Sequence, residues 1–227
     1  MALILNIETT TTNCSVSLSD KGQTISIKET ADEGYSHGEK LHGFIDFLFQ
    51  ESGISLNAID AVAVSKGPGS YTGLRIGVSA AKGLCYALDK PLISVSTLKA
   101  LALQLKVNRG AIIPMIDARR MEVYSSVFAS DFDELRGVKA EVLSKDCYKD
   151  YLESYGSLTL IGNAVEKAEK VFGDLGRQVS YQYALPSSRE MGVLSEHKYQ
   201  KSDVEDVAYF EPYYLKDFIA IKPKRLF

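Results

Sequence analysis

The run GPGSYTGLR, Gly67 to Arg75, follows the apolar stretch IDAVAV and precedes a helical pattern, so its glycines lie where a strand turns into a helix. Amides at a helix start attract anions, and glycines let a phosphate come close. The spacing argues against a nucleotide loop. A Walker A loop needs G-x-x-x-x-G-K before Ser or Thr, whereas Gly73 is followed by Leu74 and Arg75. A dinucleotide fingerprint would need the third glycine one residue earlier and an acid at the end of the next strand, LISVS, to hold a ribose.

Glu8 and Asp117 each stand just past an apolar strand, ILNIE and IPMID, with another strand a few residues on. In two-lobed ATPases this is where a magnesium nucleotide is held. Such turns need glycine so that amides reach phosphate, yet TTTTNC and ARRMEV contain none. Threonine hydroxyls and Arg119 or Arg120 could still meet an anion. Two readings stay open: a vestigial nucleotide site at Glu8, Thr9, Thr10 and Asp117, or acids that cap strand ends between lobes.

HGEKLH resembles the zinc motif H-E-x-x-H, but His37 and His42 are five apart. At about 100° per residue they point roughly 140° away from each other on a helix. His197 is the one remaining histidine, so no metal is expected and the pair reads as a surface feature. No G-x-S-x-G elbow is present. Cys14, Cys85 and Cys147 form no C-x-x-C pair and read as buried thiols.

The elements that would position these residues repeat. LILNIE, CSVSLS and QTISIKE predict three antiparallel strands; SHGEKLHGFIDFLFQESG predicts a helix with a Ser36–Glu39 capping box. A strand at 59–64, a helix from Thr72 to Leu88, the strand PLISVS and the helix TLKALALQLK complete βββαβαβα. After VNRG the order resumes with AIIPMID and MEVYSSVF around a tight turn at Ala118 to Arg120. A third strand near Glu141, a helix from Lys145, the strand SLTLIG, the helix NAVEKAEKVFG and a helix from Ser188 to Tyr199 follow, then the tail YFEPYYLKDF. The predicted lobes are residues 1–108 and 109–227.

Within the helix after the glycine turn, Gly73, Gly77 and Ala81 recur every four residues, flanked by Ala80 and Leu84. Two glycines in a helix cost about 1 kcal/mol each relative to alanine, so the bare stripe calls for a close neighbour. That neighbour is either the chain's own sheet or a helix of another molecule.

Composition bounds the rest. The 227 residues are 45% hydrophobic and 24% charged with net charge −3, an ordinary globular balance that argues against an unaided grip on a polyanion. No run approaches the ~20 apolar residues of a membrane span and the N-terminus lacks a basic leader, so a cytoplasmic protein away from membranes is expected. Lys222, Lys224 and Arg225 read as a solvated basic tail.

The stretches ILNIETTTTNCSVSL, SHGEKL, VSKGPGSYTGLRIGVSAAKGL, VSTL and IDARRMEVY resemble the bacterial TsaB (YeaZ) family over most of residues 2–128, with weaker likeness in IGNA, LPSS and PYYLK. The resemblance implies an α/β fold of duplicated RNase H-like lobes, of the actin, sugar kinase and Hsp70 (ASKHA) type. It implies a role in making N6-threonylcarbamoyladenosine (t6A) in tRNA as the non-catalytic partner of a TsaD-type subunit. A TsaE-type ATPase belongs to the complex, tRNA is engaged indirectly, the chain has no cofactor of its own, and it forms a homodimer when alone. The implied partner surface comprises His37, Leu41, Phe44, Ile45 and Leu48 on the first helix. On the second it comprises Gly73, Leu74, Ile76, Gly77, Ala80, Ala81 and Leu84. Glu8 stands where the family usually has Asp, and Tyr71 where it usually has Phe. The rival readings are an ATP-dependent enzyme of the same fold using Glu8 and Asp117, and a glycoprotease-like metallopeptidase, which the histidine spacing does not support.

Overall fold

Apolar residues on both faces of Leu3–Glu8 (β1) and Ala61–Gly67 (β4) bury these strands in the middle of a sheet. The computed structural model describes residues 1–31 and 37–216. Ser36 of the expected capping box and the basic residues Lys222, Lys224 and Arg225 lie outside the described residues. Asn13–Asp20 (β2) and Gln23–Ala31 (β3) extend the sheet on one side of β1, joined by a two-residue turn in which Lys21 and Gly22 both have positive φ. Leu92–Ser96 (β5) pairs in parallel with β4 and closes the order β3-β2-β1-β4-β5.

The second sheet repeats the plan. Ala111–Asp117 (β6), Glu122–Ala129 (β7), Glu134–Val142 (β8), Leu158–Ile161 (β9) and Val179–Gln182 (β10) take the order β10-β9-β6-β7-β8. Read from its antiparallel edge this is the same third-second-first-fourth-fifth order, so the lobes are duplicated RNase H-like units. The helices are His37–Ser52 (α1), Tyr71–Leu88 (α2), Thr97–Ala102 (α3), Lys149–Tyr155 (α4), Val165–Phe172 (α5) and Met191–Gln200 (α6). Among the described residues no helix is long and apolar enough to cross a membrane.

Each lobe gives its last helix to the other. Leu98, Leu101 and Ala102 of α3 pack with Ile112, Ile116, Phe128 and Ile161 of the second sheet. Met191 of α6 packs with Ala2, Ile4, Ala61 and Ile93 of the first. Polar groups fix the register of α6: Ser195 Oγ donates to Asn6 Oδ1 at 2.8 Å, and Lys198 Nζ donates to the Ser94 carbonyl at 3.0 Å. Beyond α6 the chain stays on the first lobe, where Glu205 N donates to the Leu92 carbonyl at 2.8 Å and Lys82 Nζ reaches the Ala208 and Phe210 carbonyls. Residues 191–216 thus pack against the first sheet although they lie within the stretch 109–227 expected as the second lobe.

The stripe Gly73–Gly77–Ala81 is corrected: it faces inward. A Cβ built on Gly73 would overlap the Thr9 carbonyl oxygen, one on Gly77 would overlap Thr9 Oγ1, and one on Gly69 would overlap the Thr10 carbonyl. Ala81 is fully buried in the core of the first sheet. The turn after β1 is thus the close neighbour that the missing side chains accommodate.

Two stability predictions follow from these contacts. Gly73→Ala should destabilise the protein by about 1–3 kcal/mol through overpacking despite its better helix propensity. Gly83→Ala, where a Cβ meets nothing within 4 Å, should stabilise it by up to about 1 kcal/mol; urea denaturation reads both signs. At the start of α6, burial pushes the Glu190 carboxyl up to about 7, and the nearby Glu29 charge adds to the shift. Glu190 Oε2 is buried with no partner, while Glu29 Oε2 accepts from Ser15 Oγ at 2.9 Å and Ser187 Oγ at 2.7 Å. The folded state keeps a proton on Glu190 that the unfolded chain releases near 4.5. This contribution is full below that pH and is lost as pH rises through about 7. Glu190→Gln should flatten melting temperature against pH between 5 and 8 and raise it at the alkaline end.

Candidate docking surface

The glycine turn directs its donors into the chain. Ser70 N donates to the Thr10 carbonyl at 2.6 Å, Gly67 N donates to Thr97 Oγ1 at 3.2 Å, and Gly73 N donates to the Ser70 hydroxyl at 3.3 Å. Glu8 is fully buried. Its Oε1 accepts from Thr10 N at 2.6 Å and Thr10 Oγ1 at 2.5 Å, and its Oε2 accepts from Ser65 Oγ. Burial raises its pKa against the pull of those hydrogen bonds. Thr9 Oγ1 donates to the Gly73 carbonyl at 2.8 Å. Glu8, Thr9 and Thr10 therefore form the bracket that seats α2. Asp117 is exposed and accepts from Lys167 Nζ and from Arg119 N, both at 2.6 Å.

The histidines part company. His37 is fully buried, not on the surface as expected, and its Nε2 lies 2.7 Å from the Thr11 carbonyl, which ties α1 to the same bracket. Burial holds its pKa below the ordinary value, and since a carbonyl oxygen only accepts, Nε2 donates that bond. His42 is exposed. Among the described residues no three of His, Cys, Asp and Glu come together to hold a metal ion. Cys14 and Cys85 are buried, and burial pushes the Cys85 thiol up to about 11, so it acts as a packing group.

What α1 and α2 leave open is a groove of about 520 Å³. Arg75, Ile76, Ser79, Ala80, Gly83 and Leu84 line it from α2, and His42 lines it from α1. Of the residues expected at a partner interface, Ile76, Ala80 and Leu84 lie here. Phe44 is half-buried on α1, its ring 5.9 Å from the Lys28 ammonium on the β3 side. His37, Leu41, Ile45, Leu48, Leu74, Gly73, Gly77 and Ala81 are buried in the chain's own interior and cannot meet a partner directly. Sequence reasoning missed Ser79, Gly83 and His42. The signal was present as a second small-residue row, Ser79, Gly83 and Ala87, about 160–200° around the helix from the row of Gly73, Gly77 and Ala81.

Arg75 closes one end of the groove. Its guanidinium lies 4.2 Å from the Tyr71 ring, its side chain also hydrogen-bonds the Tyr71 hydroxyl, and its Nε donates to the Tyr214 hydroxyl at 3.4 Å. The Tyr71 and Tyr214 rings pack at 4.8 Å, so the C-terminal segment pins the start of α2.

Residues 34–223 match the family model described as TsaD, tRNA N6-adenosine threonylcarbamoyltransferase. The chain is 29% identical to the tRNA threonylcarbamoyladenosine biosynthesis protein TsaB of Escherichia coli, over 96% of each chain. It is 30% identical to the TsaB of Buchnera aphidicola subsp. Baizongia pistaciae, over 74% of this chain and 77% of that one. The solved structure of YeaZ from Pseudomonas aeruginosa superposes with a TM-score of 0.80 at 25% identity, covering 95% of this chain and 100% of that one. With matches of this length the chain belongs to the TsaD-type threonylcarbamoyltransferase family, on its TsaB (YeaZ) branch.

Proposed function

We propose that this chain is the non-catalytic subunit of a t6A-forming complex and docks on a TsaD-type catalytic subunit through the groove between α1 and α2. The observation that carries the reading is the groove itself. Its floor is made of small side chains, Ser79, Ala80 and Gly83, with half-buried Ile76 and Leu84 beside them, and no described residue covers it. Missing side chains let a second helix come close, and the neighbouring aliphatic groups supply apolar area. A stable contact of this kind buries about 1,200–2,000 Å² in total, more than the groove alone, so the exposed residues of α1 around His42 and Gly43 share in it.

A non-catalytic role agrees with the internal chemistry. Both Glu8 oxygens are taken by the chain's own donors, and Asp117 is paired with Lys167. Without the sister subunit the same face would serve a homodimer. A TsaE-type ATPase joins the assembled pair, in the cytoplasm, and a net charge of −3 leaves the main grip on tRNA to the catalytic subunit.

The docking test uses residues whose side chains face outward, so the fold is spared. Gly83→Trp with Ser79→Arg should leave the melting temperature within a few degrees and weaken association with the TsaD-type subunit at least tenfold in calorimetry. Unchanged affinity in the folded variant would overturn the docking surface.

A further inference from the structure

The turn between β6 and β7 is built at a cost to stability. Arg119 and Arg120 have φ of +71° and +50°, two successive residues in the left-handed region, which Gly and Asn occupy most readily. A side chain with a Cβ in this region costs roughly 1 kcal/mol or more per residue. The charges around the turn are arranged unusually as well. The flanking carboxylates, Asp117 and Glu122, are each taken by a lysine from elsewhere in the chain: Lys167 Nζ lies 2.6 Å from Asp117 Oδ1, and Lys216 Nζ pairs with Glu122 Oε2. Both arginines are exposed, and neither has an ion-pair partner among the described residues. Four cations thus face two carboxylates, a local surplus on a chain whose net charge is −3.

Aromatic rings continue from the turn. Lys216 Nζ stands 5.7 Å from the centroid of the Tyr124 ring. Burial pushes the Tyr124 phenol up, the Lys216 charge pulls it back, Glu122 adds to the rise and Arg119 opposes it. Two residues before Lys216, Tyr214 packs on Tyr71 and Arg75 at the end of the docking groove. Cations thus lie beside tyrosine rings at two places, Lys216 by Tyr124 and Arg75 by Tyr71, joined through the C-terminal segment. Cations and aromatic faces so paired suit a polynucleotide, in which charged phosphates alternate with flat bases.

We propose that the β6–β7 turn is an RNA contact, with Arg119 and Arg120 held against the phosphodiester backbone of the RNA that the assembled complex modifies. This rests on the function proposed above and goes beyond it by giving this chain a direct hold on RNA. The uncompensated arginine pair, presented by a turn that sacrifices stability, carries the inference. Each phosphate contact made releases counterions from the RNA.

The test replaces the pair by Arg119→Asn with Arg120→Gly, which suits the turn, and separately by Arg119→Lys with Arg120→Lys, which keeps the charge. Each protein is assembled with the TsaD-type subunit, assembly is checked by gel filtration, and binding of full-length tRNA is followed by fluorescence anisotropy from about 50 to 200 mM salt. The Asn-Gly variant should melt higher than the parent, assemble normally, bind tRNA about tenfold or more weakly, and lower the steepness of log affinity against log salt by about 1–2. The double-lysine variant should keep most of that steepness. Unchanged affinity and slope in the Asn-Gly variant would overturn the inference. So would a loss confined to ATP with magnesium, or a loss of assembly in place of RNA binding. If the parent chain itself fails to assemble, the function proposed above is what falls; the same variants on the lone chain then decide the RNA contact, equal affinities overturning it and a weaker Asn-Gly variant supporting it.

Discussion

The close approach of the Thr9–Thr10 backbone to the glycines of α2 sets which way that helix faces. Gly69, Gly73 and Gly77 have no room for a Cβ because the turn after β1 occupies it. The turn is held in turn by the Glu8 carboxyl, which takes up Thr10 N, Thr10 Oγ1 and Ser65 Oγ in a fully buried site. Rotating α2 by one residue would bring side chains into that space. The outward face of the helix, and with it the groove of Ile76, Ser79, Ala80 and Gly83, is thereby fixed by contacts on the opposite side. His37 extends the same bracket to α1 through the Thr11 carbonyl, so both helices of the proposed docking face are referenced to one turn.

The order of elements was legible because each has a strong local signal. Paired apolar strands bounded by turn residues, and helices with apolar residues three and four apart, predict βββαβαβα in the first half and the same order without its fifth strand in the second. Where reading failed, the deciding information was not local. The α2 helix carries small residues on two sides, and periodicity does not tell which side meets its own chain. The apolar side of α6 does not name the sheet it will cover. The helix expected through TLKALALQLK stops at Ala102, after which Leu105 enters the core from a turn. Short β10 lies in a polar stretch, VSYQ, whose pairing with β9 supplies what its composition lacks.

The candidate site followed the same division. An acid after each lobe's first strand invites a nucleotide reading, which the absence of glycine in both turns argues against. The neighbouring hydroxyls decide otherwise. Thr10 N, Thr10 Oγ1 and Ser65 Oγ occupy both Glu8 oxygens, so the buried carboxyl becomes a fastening. The groove on the outer face was legible only in outline: Ile76, Ala80 and Leu84 were expected there, whereas Gly83 and Ser79 emerge once the inner face is known.

The exchange of α3 and α6 between the lobes bears on how the chain is made. A ribosome delivers all five strands of the first sheet by residue 96, yet the helix that covers one of its faces spans Met191–Gln200. For roughly a hundred residues of synthesis, Ala2, Ile4, Ala61 and Ile93 await a cover that has not yet emerged, and apolar strands left open in this way are prone to aggregate. The first sheet is therefore complete in its strands long before it is complete in its packing.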